Sequence, residues 1–190
     1  MENMQTANQL GGRATGSMFF AVFGAIWLAL AFYALERLSA VSISGVVLGT
    51  LVLLLTGLYL ARLANRFPRL PDDPAAGRAF AWINAIQWIA VGVVAFTFAK
   101  LHLDAYVLCA ITAIVGLHLF PFARLFRNPL HYGTGTVLVA WALASALLAP
   151  IEHMQGITAL GTGVILWLGA AVTLAIALHS ARQSAVQLTA

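Results

Sequence analysis

Apolar residues run in six blocks along the chain, and polar residues gather between the blocks in clusters of the kind that end helices. The blocks cover approximately 17–35, 41–61, 79–99, 104–121, 132–149 and 157–179. Each is close to the roughly 20 residues that an α-helix needs to cross about 30 Å of hydrocarbon. The breaks are Glu36–Arg37, the stretch from Arg62 to Arg78, Lys100 to Asp104, Pro121 to His131, and Pro150 to Gly156. Every proline lies in or beside a break, as suits a residue that cannot donate a helical hydrogen bond. No run alternates polar and apolar positions over the ten-residue segments of a membrane barrel. The pattern predicts an all-α fold: a polytopic membrane bundle of six transmembrane helices, forming a single transmembrane domain over 1–190. The first block is expected to be a retained helix and not a cleaved signal, because the tail before it is long and carries a single Arg13.

Composition agrees with that placement. The chain has 190 residues, of which 62% are hydrophobic and 8% charged, whereas soluble domains carry about 25% charge. The apolar exterior must therefore face lipid. A net charge of +4 would suggest nucleic acid in a soluble chain, but here the basic residues sit between apolar spans and record orientation, so no nucleic acid is expected as a partner. Placing the two termini with the second and fourth loops gathers Arg13, Arg62, Arg66, Arg69, Arg78, Arg124, Arg127 and Arg182 on one side and leaves Arg37 and Lys100 opposite. Both termini are expected in the cytoplasm. The other side receives Glu36, Asp104 and Glu152, with His102 and His153 beside two of them.

The second, fourth and sixth blocks end in related strings. These are Leu58-Tyr59-Leu60-Ala61-Arg62, then Leu117-His118-Leu119 with Ala123-Arg124, then Leu178-His179-Ser180-Ala181-Arg182. A tryptophan stands near the middle of each odd block, at Trp27, Trp88 and Trp141. Three repeated helical hairpins would produce this spacing; so would helix-exit composition alone, since arginines snorkel to the interface.

Three hairpins in a chain of this length resemble, in architecture only, the small acid-resistance membrane proteins of bacteria. The stretch from Gly116 through His118, Pro121, Arg124, Asn128, His131 and Tyr132 to Gly135, preceded by Asn84-Ala85-Ile86-Gln87-Trp88, resembles a bacterial family of six-helix inner-membrane proteins of unknown function. That likeness covers about the middle third of the chain. It implies a bacterial inner (plasma) membrane location and a six-helix fold, and it implies no activity.

Polar side chains inside lipid are the places to look for chemistry, because each costs free energy unless partnered. Asn84, Gln87 and Trp88 share one face of the third helix. His118 falls in the same half of the membrane, late in the fourth helix, and Pro121 deprives the Leu117 carbonyl of its helical donor beside it. These residues can line a pocket between hairpins or act as interhelical glue worth roughly 0.6–2 kcal/mol per hydrogen bond. Tyr59, the counterpart of His118 in the recurring string, and Tyr132, beside Gly133-Thr134-Gly135-Thr136, complete the candidate ligand-binding set. Gly45 and Gly49 form a small-residue ridge on the second helix that suits a helix contact within the chain or in a homo-oligomer.

Other chemistries lack their patterns. Cys109 stands alone in an apolar run and reads as a packing residue. Neither His-x-x-x-His nor Cys-x-x-Cys spacing occurs, so no metal site is expected, although the group Glu36, His102, Asp104, Glu152 and His153 could hold a divalent cation or simply be solvated. No Gly-x-Ser-x-Gly frame, Walker loop or dinucleotide fingerprint is present. The expectation is a small membrane transporter or channel with a polar site in the cytoplasmic half. It would have no cofactor and no enzymatic activity, and would take a small neutral or weakly charged molecule. The alternative is a non-transporting membrane protein that binds lipid or a partner, or contributes to envelope stress tolerance.

Overall fold

The computed structural model describes residues 2–66 and 73–187, with only the helical backbone for 2–8 and 182–187. Arg69, Pro68, Pro71 and the side chain of Arg182, which entered the orientation and break patterns above, lie outside the described residues. The described chain is helical throughout, without a strand: α1 (Glu2–Ala34), α2 (Ala40–Ala64), α3 (Pro74–Lys100), a 3-10 turn (Asp104–Tyr106), α4 (Val107–Leu125), α5 (Leu130–Leu148) and α6 (Met154–Gln187). All six α-helices are long and apolar enough to cross a membrane.

Local chemistry sets several boundaries. Ser39 and Ser42 cap α2 reciprocally, each hydroxyl accepting from the other's backbone N–H at 3.1 and 2.8 Å. Asp73 accepts from Ala75 N at 2.8 Å, and Pro74 opens α3 where its missing N–H costs nothing. The fourth span, expected to stop at Pro121, continues to Leu125. The proline sits on an exposed face one turn from the helix end, so it removes a single hydrogen bond and does not stop the helix.

Three helices close on a non-glycine residue in the left-handed region: Glu36 (φ 54°), His102 (φ 55°) and Arg127 (φ 49°). Behind each, a six-residue bond seals the cap: Arg37 N to Phe32 O at 2.8 Å, Leu103 N to Phe98 O at 2.8 Å, and Asn128 N to Ala123 O at 3.0 Å. An L side chain in that conformation costs about 1 kcal/mol, so these sharp exits are held by the packing on either side of them.

The most extensive contact joins α1 and α6, followed by α4 with α5 and α1 with α2. The helices α1, α4, α5 and α6 form the core, with Trp27, Ala31, Leu119, Phe122, Leu138, Ala159 and Leu166 buried among them. A second cluster of Leu10, Ala14, Leu60, Ala64, Leu174 and Ala177 binds α1, α2 and α6 at the end carrying the termini. Helix α2 lies outside α1 and α6. Helix α3 packs on α4 and the 3-10 turn, and contributes no fully buried residue.

Glycines set the closest approaches. A Cβ on Gly24 would stand 3.1 Å from Gly163 O, and one on Gly163 would stand 2.9 Å from Gly24 O. The α4–α5 crossing is tighter, with a Cβ on Gly135 falling 2.6 Å from Gly116 O. Of the expected ridge on α2, Gly49 lies under the ring of Trp167 and Gly45 meets nothing within 4 Å.

The recurring strings do not mark equivalent positions. Tyr59 and His179 are exposed while His118 is half-buried, and Trp27 is buried where Trp88 is exposed. In the third pair, α5 packs more extensively on α4 than on α6, and α6 more extensively on α1. The shared sequence reflects what helix exits require, not a shared packing unit.

The glycine crossing provides a test. Gly135→Ala should destabilise the protein by about 1–3 kcal/mol, because its methyl meets backbone that cannot step aside. Gly45→Ala should be neutral or up to about 1 kcal/mol more stable, as an alanine in an open helical position should be. Unfolding in mixed micelles measures both; equal effects would remove the crossing as the cause.

Candidate functional site

The seam between α3 and α4 is stitched by aromatic rings. Phe80 stacks on Phe122 with centroids 5.3 Å apart and planes 14° apart, and Phe126 lies 6.1 Å from Phe80 and 5.5 Å from Phe122. Asn84 lies one turn inward from Phe80 on α3, and His118 one turn inward from Phe122 on α4.

His118 is half-buried, and its ring stands edge-on to Phe122 at 5.2 Å. Its Nδ1 is bonded to the Val115 carbonyl, one turn back on its own helix. A carbonyl only accepts, so Nδ1 carries the proton and Nε2 is left as an acceptor. Asn84 donates through Nδ2 to Phe80 O at 2.9 Å, which leaves its side-chain oxygen and one N–H available. Gln87, half-buried a further turn along the same stripe, makes no hydrogen bond among the described residues. Thus Asn84, Gln87 and His118 keep hydrogen-bonding capacity unspent, and among the described residues no bond joins them to one another.

The remaining candidates lie elsewhere. Trp88 is 57% exposed. Tyr59 is 60% exposed on α2, which packs on α1 and α6. Tyr132, 37% exposed, lies 5.8 Å from Phe120 on the α4–α5 side. Helical periodicity groups Trp88 with Asn84, four residues apart, yet Trp88 is more exposed than Asn84.

Two polar features were not singled out as candidates in the sequence. The first is a ladder of buried hydroxyls linking α4 to α6. Thr112 Oγ1 and Thr162 Oγ1 are 2.9 Å apart, and Cys109 Sγ and Thr158 Oγ1 are 3.2 Å apart. Thr162 donates to Thr158 O and Thr158 to Met154 O, each at 2.7 Å, so Thr112 and Cys109 are the donors across the interface. Trp141 of α5 donates to the same Thr158 carbonyl at 3.0 Å. The signal existed: Cys109 with Thr112 and Thr158 with Thr162 are polar pairs at helical spacing inside apolar runs.

The second is His131, which in sequence stands with Tyr132 at the entry of the fifth helix. It is buried against Phe20 (5.7 Å) and Phe126 (6.4 Å), with the Asn128 amide 3.5 Å from Nε2 and no partner for Nδ1. Only the tertiary closure of α1 over α5 puts it inside, and nothing local announces that. Ser145 likewise keeps a buried Oγ without a partner.

Among the described residues, no three His, Cys, Asp or Glu side chains converge as a metal site, so Glu36, His102, Asp104, Glu152 and His153 do not form a cation centre. At the end of the bundle opposite the termini, a cavity of about 380 Å³ opens between α1, the 3-10 turn and the start of α6. No protein-family model, curated protein or solved structure matches this chain.

The ladder yields a quantitative expectation. A double-mutant cycle on Thr112→Val and Thr162→Val should return a coupling of about 0.6–1.7 kcal/mol. Ser145→Ala, which removes a hydroxyl with nothing to lose, should be neutral or slightly stabilising. Unfolding in micelles reads both, and zero coupling would mean that the threonine pair contributes no net bond.

Proposed function

We propose that the protein is a small, non-enzymatic carrier of the bacterial inner membrane, with both termini cytoplasmic. It admits a small neutral or weakly charged, partly apolar molecule at the α3–α4 seam. One observation carries this reading: α3 packs on α4 and the 3-10 turn, buries no residue completely, and carries Asn84 and Gln87 half-buried on one face. A helix with few buried contacts is the element whose displacement costs least. Asn84 and Gln87 supply amide donors and acceptors, and His118 Nε2 supplies an acceptor, a set suited to a hydroxyl or amide group without a full charge. The route is lateral. The centre of the four-helix core is filled by Trp27, Leu119, Phe122, Leu138 and Leu166, which is not the lining of a water-filled channel.

That same filled core favours a second reading, in which the seam binds a lipid or a partner without transport. Stopped-flow light scattering on proteoliposomes, with glycerol and urea as probes, separates the two. The carrier should speed solute movement over protein-free vesicles, His118→Ala should slow it by about five- to tenfold, as expected for one lost hydrogen bond, and His118→Gln should keep part of the rate. Protein-containing and protein-free vesicles that behave alike for both probes would remove the carrier reading. A neutral photoreactive amphiphile that still labels residues 80–91 and 111–122 in that case would support the binding reading.

A further inference from the structure

The cavity at the far end of the bundle has a composition distinct from the seam. Leu30, Ala34, Ala105 and Ile151 give it apolar walls, and Tyr33, Glu152 and Gln155 give it a polar rim. Gly156 is buried beneath Leu35, and a Cβ there would fall 2.5 Å from Leu35 Cγ, so the end of α1 lies close over the start of α6. Just beyond, Glu36 takes the left-handed conformation. On the opposite wall, Gln155 Nε2 donates to Asp104 O at 2.7 Å and ties α6 to the 3-10 turn that carries Ala105.

Charge at this site is single and unbalanced. Glu152 is exposed and forms no ion pair among the described residues, and Tyr33 contributes to the same lining. Glu152 is the one acidic residue in the lining, and a single carboxylate is poorly suited to a divalent ion. One carboxylate, one electron-rich ring and apolar walls are the elements that recognise a monovalent cation carrying hydrocarbon: the charge sits by the carboxylate and ring face, and the alkyl or aryl part fills the walls.

We infer that this cavity binds a small organic cation, an alkyl- or arylammonium, independently of the α3–α4 seam. At an exposed site the carboxylate and the ring should each be worth a factor of about two to five in affinity. The ammonium could be a free molecule or the headgroup of a choline lipid, and the inference is for the free molecule.

The test uses the full chain in phosphatidylglycerol nanodiscs with a photoreactive aryl-trimethylammonium probe and its neutral aryl-tert-butyl analogue, the adducts being mapped by mass spectrometry. Adducts of the cationic probe are expected on residues 30–34 and 151–156, with several-fold less from the neutral analogue. Glu152→Gln and Tyr33→Leu should each cut the labelling by about two- to fivefold, and Tyr33→Phe, which keeps the ring, should not. Glu152 and Tyr33 are exposed, so neither change threatens the fold. Labelling that ignores the probe's charge, or survives Glu152→Gln undiminished, overturns the inference. Loss of labelling in phosphatidylcholine nanodiscs also overturns it, since the headgroup would then be the occupant. None of these results depends on flux or on His118, so failure here leaves the seam reading standing, and the reverse holds.

Discussion

Where Gly24 meets Gly163 and Gly116 meets Gly135, backbone lies directly on backbone, and the rest of the molecule is arranged around those two crossings. Lipid offers helices no hydrophobic incentive to associate, because acyl chains are as apolar as leucine; close van der Waals contact and interhelical hydrogen bonds must do it. Both are concentrated in α1, α4, α5 and α6. The bare glycine backbones bring helices near enough for Thr112 to reach Thr162, for Trp141 to reach the Thr158 carbonyl, and for Trp167 of α6 to donate to Ala21 O of α1 at 3.1 Å. Each of these donors would otherwise be stranded in hydrocarbon at a cost of several kcal/mol.

The same constraint explains why α2 and α3 are peripheral. Neither sends a side-chain hydrogen bond into the core: Thr50 and Thr56 turn back onto their own helix at 2.6 and 2.8 Å, as the Asn84 amide does at 2.9 Å. Their attachment relies on apolar packing and, for α3, on the Phe80–Phe122 stack. Polar groups on such a helix are satisfied locally, which keeps them in place without fixing the helix to its neighbours. Capacity left over, as on Gln87, is then available to a molecule arriving from outside the bundle.

Much of the fold was legible because the bilayer enforces a length and a polarity that appear directly in the sequence. The six apolar blocks became six helices, each running past its block at one end or both. Which faces are buried was not legible. His118 and His131 stand in similar aromatic surroundings in sequence, yet His131 is the buried one, because Phe20 from the far end of the chain closes over it. The recurring Leu-aromatic and Ala-Arg strings looked like architecture and were exit chemistry: arginines collect where helices leave lipid, whatever the helices pack against. For the candidate site, helical spacing grouped Asn84 with Gln87 on one face of α3, and both are half-buried. It could not exclude Tyr59, whose distance from α3 and α4 depends on where α2 docks.

The distribution of fixed and loose contacts also decides which helix can move. The first half of α4 is pinned to α6 by the Cys109–Thr158 and Thr112–Thr162 pairs, and its second half is locked to α5 where Gly116 meets Gly135. Sliding α4 would break buried hydrogen bonds and drive backbone into backbone, so α4 is the stationary wall of the seam. Helix α3 has no equivalent restraint. Displacing it separates Phe80 from Phe122 and loses apolar contact that lipid can replace, while the Asn84 bond travels with its own helix and stays intact. The cavity at the other end is walled by α1, α6 and the 3-10 turn, with Gln155 tying α6 to that turn, which follows α3 in the chain and packs on it. Where the glycines and threonines lie thus separates α4, fixed on two sides, from α3, held by apolar packing.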